Sequence, residues 1–124
     1  MQKNYDDNNF TVEKQQYFLR MMLTNAELFT RVTNIYNAEN FDKSIRSAAE
    51  FIKKHADEYK ILPESEQVEA VTSIRLEPIQ NLNQGHYDWF LAEFEKFTKR
   101  QELERAILKS ADLLEKGNFD PVEK

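Results

Sequence analysis

The stretch that decides the fold is HYDWFLAEFEKFTKRQELERAILKSADLLEK, residues 86–116. It contains neither Gly nor Pro and is rich in strong helix formers, so it predicts one uninterrupted helix. A helix of about 31 residues would be roughly 46 Å long at 1.5 Å per residue. Its apolar residues, however, do not keep to one side along that length.

The first apolar stripe of this helix contains Phe90, Phe94 and Phe97, which fall within about 60° of one another at 100° per residue. Together with Trp89, these residues are expected to fix the helix to the rest of the chain. Residues 98–102 are polar all round. The next apolar residues fall more than about 100° away from the first stripe. One core cannot easily cover both stripes, so the second should meet a different partner.

We give the name distal surface to this second set together with Leu108, which belongs to the same segment. Its members are Leu103, Ala106, Ile107, Leu108 and Leu114. Two interpretations stay open for it: core within this chain, beneath a loop, or an interface with another chain or a returning helix. The ending favours the latter, because Gly117 stops the long helix and Asp120 is placed to cap a new one. On that interpretation the chain stops one helix short of its natural fold, or a partner supplies the missing surface.

Residues 1–85 predict a small helical head with a polar N-terminal tail. Helices are expected over 12–23, from a Thr24–Glu27 capping box to about 36, over 43–60 and over 64–73, followed by a loop over 74–85. Asp42 is expected to cap the third helix, and its buried stripe should run from Ile45 to Tyr59. The predicted fold is therefore all-α: a head of about four helices over 1–85, and the first arm of a helical hairpin with the start of a second over 86–124.

The composition excludes several kinds of site. With Gly only at 85 and 117, neither common phosphate-binding glycine motif can be written, and the absence of Cys removes thiolate chemistry. His55 and His86 lack metal-ligand spacing, so no catalytic, cofactor or metal site is expected. There is no secretory signal and no apolar run near the roughly 20 residues that span a bilayer. These features favour a cytoplasmic protein without membrane partners.

The most basic stretch runs from Lys96 to Lys109, interleaved with glutamates. It fits a solvated helix face, a nucleic-acid contact or a protein-binding surface. The formal net charge of −5 argues against strong nucleic-acid binding by the chain, because such binding depends on Lys and Arg neutralising phosphates.

Three segments resemble the N-terminal domain of DnaB-like replicative DNA helicases, above all those of tailed phages. They are EKQQYFLRMMLTNAELFTRV (13–32), ENFDKSIRSAAEFIKKHADEYKILPE (39–64) and HYDWFLAEFEKFTKRQELERAILKSADLLEKGNFDP (86–121). The likeness lies in apolar spacing, in a Tyr-x-x-Pro-like close of the third helix and in a Gly-Asn-Phe-Asp turn after the long one. Residues 64–85 are shorter than the bacterial counterpart and lack its Gly-Gly segment, and the family's ATPase domain is absent.

The resemblance implies an assembly domain. In the family, such hairpins pair between subunits to form a dimer within a hexamer, and the resulting collar docks primase and in some systems a helicase loader. ATP and Mg²⁺ belong to the missing C-terminal domain. Two alternatives remain: the helicase-binding domain of a primase, which resembles the same fold, and a stand-alone helical nucleic-acid-binding or replication accessory protein.

Overall fold

The computed structural model describes residues 9–115, and the side chains as far as 113. Within that range the chain is helical and contains no strand. The elements are α1 (Val12–Thr24), α2 (Ala26–Val32), a 3-10 turn (Ala38–Asn40), α3 (Arg46–Tyr59), α4 (Ser65–Thr72) and α5 (Gln84–Glu115). The all-α prediction is confirmed, as is a helical head followed by one long helix. Of the polar N-terminal tail predicted over 1–10, residues 1–8 lie outside the described residues, as do the stop at Gly117 and the cap at Asp120. Phe10 is not frayed: its ring centroid lies 5.4 Å from that of Phe97.

The junction between α1 and α2 differs from the predicted capping box. Asn25 caps α2, because its side-chain oxygen accepts from the backbone N–H of Glu27 at 3.1 Å. Thr24 instead ends α1, where its hydroxyl donates to the carbonyl oxygen of Arg20 at 2.8 Å and accepts from the N–H of Ile79 at 2.9 Å. The threonine therefore joins the loop before α5 to α1.

The segment between α2 and α3 is also less helical than predicted. α2 ends at Val32, so Tyr36 follows the helix; its buried hydroxyl donates to the carbonyl oxygen of Ala49 at 2.7 Å. Burial raises the pKa of this phenol. α3 begins at Arg46, because Asp42 closes a turn upstream by accepting from the backbone N–H and hydroxyl of Ser44. Those two hydrogen bonds hold the pKa of Asp42 below its usual value.

The outer side of α3 and α4 is more apolar than predicted. Ile45, Ala48 and Ile52 are buried, but Tyr59, placed in the same stripe by the sequence, is largely exposed. On α4, Val68 is fully buried and Val71 points outward. Some large apolar side chains of both helices, including Tyr59 and Val71, therefore remain exposed.

The core lies where α5 crosses the head and contacts α1, α2 and the 3-10 turn. Phe18 of α1 is at its centre. The centroid of its ring lies 5.8 Å from that of Phe90 and 5.5 Å from those of Phe94 and Phe97. Such aromatic contacts add to the free energy gained by burying the rings. This cluster fixes the first half of the long helix.

Candidate assembly surface

The first half of α5 carries the residues predicted to fix it to the head. Phe90, Phe94 and Phe97 are buried within the core. Trp89 is 39% exposed and packs edge-on against Tyr17, with ring centroids 5.7 Å apart. The tryptophan therefore covers the edge of the α1–α5 contact while the three phenylalanines fill its centre.

An ion-pair cluster lies beside this aromatic core. The carboxylate of Glu93 accepts from the ammonium of Lys14 at 2.8 Å and from that of Lys96 at 3.2 Å. Burial on its own would raise the pKa of Glu93, but the hydrogen bonds and charges of the two lysines hold that pKa below its usual value. The pair with Lys14 joins α5 to α1.

Beyond the phenylalanines, α5 is held by polar contacts that the sequence did not reveal. The side-chain amide of Gln101 donates to the carbonyl oxygen of Asn40 at 2.9 Å, and the guanidinium of Arg105 donates to the side-chain oxygen of the same residue. Asn40 is buried in the 3-10 turn. Gln101 and Arg105 follow Phe97 at four-residue intervals, so the side of α5 that faces the head continues as far as Arg105.

The distal surface begins where these contacts end. The exposed fractions are 59% for Leu103, 57% for Ile107 and 67% for Leu108, and Ala106 is exposed as well. Leu113, which the sequence prediction left out, is 43% exposed and extends the patch. The side chain of Leu114 lies outside the described residues. No described part of the head covers these side chains.

Two sides of the helix contribute to the distal surface. At 100° per residue, Leu108 returns to the angular position of Phe90 and so continues the head-facing side past its last contact. Leu103 and Ile107 lie roughly 100–140° away from Phe90, on a side that faces away from the head. A single partner helix would cover the second group more readily than both.

Other kinds of site find little support among the described residues. Between residues 9 and 115, no group of three or more His, Asp or Glu side chains is placed to hold a metal ion. His86 accepts from the N–H of Asn83 at 3.0 Å in the first turn of α5, and His55 bonds the carbonyl oxygen of Ile61 at 2.7 Å. Among the described helices, none is long and apolar enough to cross a membrane.

Comparison with known proteins adds no relative. No protein-family model, curated protein or solved structure matches this chain.

Proposed function

We propose that this chain is an assembly and docking domain that self-associates through the distal half of α5. One observation carries the proposal: Leu103 and Ile107 stand largely exposed, one helical turn apart on the same side of α5, whose first half is fixed in the core. Contiguous exposed apolar side chains on a soluble protein are typical of interaction sites.

Covering these side chains with a partner would release free energy. Fully burying a Leu or Ile side chain contributes about 1.5–3 kcal/mol. Burying Leu103 and Ile107 together therefore contributes more association free energy than any single surface ion pair, since exposed pairs contribute about 0–1 kcal/mol.

The fixed position of the helix favours a specific contact over non-specific stickiness. The aromatic core around Phe18 and the bonds of Gln101 and Arg105 to Asn40 hold α5 as far as the start of the patch. A surface held in this way loses little conformational freedom on binding, which favours affinity.

The resemblance to the N-terminal domain of DnaB-like helicases supports a particular setting for this role. We infer that the chain serves as the collar domain of a replicative DNA helicase, pairing subunits and docking primase or a loader. ATP hydrolysis and unwinding would then reside in a separate C-terminal domain.

Light scattering of the wild-type chain and of Ile107→Asp tests self-association. We expect wild type to exceed the monomer mass in the micromolar range and Ile107→Asp to remain a monomer. Asn34→Asp, which adds the same charge at an exposed position of the head, is the control and should behave like wild type. A wild-type chain that stays monomeric at high micromolar concentration would contradict self-association.

A pull-down against primase and against the replicative helicase of the same source tests the replication setting. A collar domain should retain primase, whereas the helicase-binding domain of a primase should retain the helicase. Retention of neither would leave self-association intact and remove the helicase assignment.

A further inference from the structure

A second apolar surface lies on the head, between α3 and α4. We call it the α3–α4 groove. It is lined by Phe51, His55, Tyr59, Ile61, Leu62, Glu64 and Gln67. Tyr59 is 61% exposed and Ile61 65% exposed, and the neighbouring Val71 is 62% exposed. Three large apolar side chains from three consecutive segments thus face solvent together.

The groove is built from firmly held backbone. Lys60 ends α3 in the left-handed conformation, at φ 62°, and its N–H donates to the carbonyl oxygen of Ala56 at 2.9 Å. One residue on, the carbonyl oxygen of Ile61 accepts from Nδ1 of His55 at 2.7 Å, since a carbonyl can only accept. A reciprocal pair of side-chain to backbone hydrogen bonds between Glu64 and Gln67 then begins α4. Ile61 is therefore displayed by an ordered loop.

One wall of the groove is a ladder of rings along α3. The His55 ring centroid lies 5.8 Å from that of Phe51 and 4.8 Å from that of Tyr59. These residues recur every four positions, so they form a continuous ridge on one side of the helix. Such a ridge, beside the half-buried Leu62, can pack into a groove between the side-chain rows of a partner helix.

The other side of the groove carries one carboxylate, that of Glu64 at the N-cap of α4. Glu66 and Glu69 face a different depression, where Glu69 pairs with Arg75 at 3.5 Å. A partner helix suited to this groove would combine an apolar stripe with a basic residue.

α5 carries such a stripe on its outer face, which we define as Lys96, Lys99, Leu103 and Ile107. At 100° per residue these residues fall within about 80° of one another and about 100–180° from Phe90, so they face away from the head. The Lys99 side chain is 76% exposed and its only described ion pair, to Glu95, is loose at 3.5 Å. The outer face is thus basic near the head and apolar further along.

We propose that the outer face of α5 in one copy of this chain docks in the α3–α4 groove of a second copy. The two surfaces match in both respects: exposed Leu103 and Ile107 would meet the apolar ridge, and the ammonium of Lys99 would meet the carboxylate of Glu64. Because the outer face points away from its own head, the contact forms between molecules without detaching α5. The inference rests on the proposed self-association and names the surface that receives α5.

The contact joins two different patches, so single variants and their mixture give a decisive test. Ile61→Asp disables the groove and Ile107→Asp disables the outer face; both positions are exposed, and circular dichroism verifies that each variant folds. We expect each variant alone to be a monomer by analytical ultracentrifugation. Mixed in equal amounts, they should form a 1:1 complex, because one retains an intact outer face and the other an intact groove.

These measurements distinguish a wrong groove contact from an absence of self-association. If Ile61→Asp assembles as wild type does, α5 pairs with another surface, which overturns the groove contact and preserves self-association. If both variants are monomers and the mixture forms no complex, the groove contact is likewise overturned. If wild type itself is monomeric, both proposals fail.

Charge reversal provides an independent test of the same contact. Glu64→Lys and Lys99→Glu should each weaken self-association at least tenfold at low salt, because each places like charges opposite one another. Mixing the two variants should restore it, since the reversed groove of the first faces the reversed helix of the second. Glu50→Lys, on α3 outside the groove, is the charge-matched control. Equal weakening by this control would show attraction by net charge alone and overturn the docking.

Discussion

Sequence periodicity is sufficient to predict the burial of some residues in this chain but not of others. Phe90, Phe94 and Phe97 could be assigned to the core from spacing alone, because three large aromatics on one helix face have no comparable alternative. Tyr59 continues the stripe of α3 equally well by spacing, yet it is exposed, and its ring packs against that of His55. A helical wheel shows on which side of a helix a residue lies. It does not show how far along the helix a neighbouring element covers that side.

Phe94→Ala is expected to lower the free energy of unfolding by about 3–5 kcal/mol, because it leaves a cavity within the aromatic cluster. Urea denaturation followed by circular dichroism measures the change at low protein concentration, where self-association does not contribute. Leu108→Ala, on the same helix but exposed, should change it by less than about 0.5 kcal/mol. Comparable losses for the two would contradict the assignment of the core.

The stability of the chain should depend on pH through Glu93. Its pKa is lower in the folded protein than the ordinary value of 4.5, so its contribution is present above pH 4.5 and is lost as the pH falls through the folded pKa. Glu93→Gln should therefore lessen the fall in unfolding free energy below pH 4.5, as measured by denaturation at several pH values. Glu102→Gln, at an exposed position, should leave the slope close to that of wild type.

At the level of elements, the sequence predicted every helix but displaced several ends. At the start of α2 two adjacent polar residues, Thr24 and Asn25, compete for the cap, and a tertiary contact decides between them. Thr24 is a good N-cap by type, but Ile79 from a distant segment uses its hydroxyl. The polar contacts of Gln101 and Arg105 were missed for a related reason. On a wheel they resemble solvated residues, and only the position of the 3-10 turn gives them a partner.

Arg105→Ala is expected to loosen α5 beyond the phenylalanines, because it removes one of the two described hydrogen bonds that join this part of the helix to Asn40. Hydrogen exchange should become faster for the amides of residues 101–110 and stay unchanged around Phe94. Lys109→Ala, an exposed basic residue on the same helix, is the control and should leave both regions unchanged. Faster exchange over all of α5 would indicate that Arg105 stabilises the whole helix instead.

For the whole molecule, the predictability of the two apolar surfaces differs. The distal surface follows from sequence because one continuous helix carries it. The α3–α4 groove does not, because Tyr59, Ile61 and Val71 belong to α3, a loop and α4, and none is unusual by itself. A contact between two different patches also has a consequence for size: it repeats from copy to copy, and it closes into a ring only where the rotation per subunit allows.

The hydrogen bonds of Gln101 and Arg105 to Asn40 help to set the angle at which the second half of α5 leaves the head. The segment from Arg105 to Glu115 is about 15 Å long at 1.5 Å per residue. A tilt of about 10° at these two hydrogen bonds would thus move the end of this segment sideways by about 2.6 Å, close to half the pitch of a helix. Small changes in side-chain packing beneath Asn40 would therefore change the angle between neighbouring molecules in an assembly made through α5. The curvature of that assembly would change with the angle.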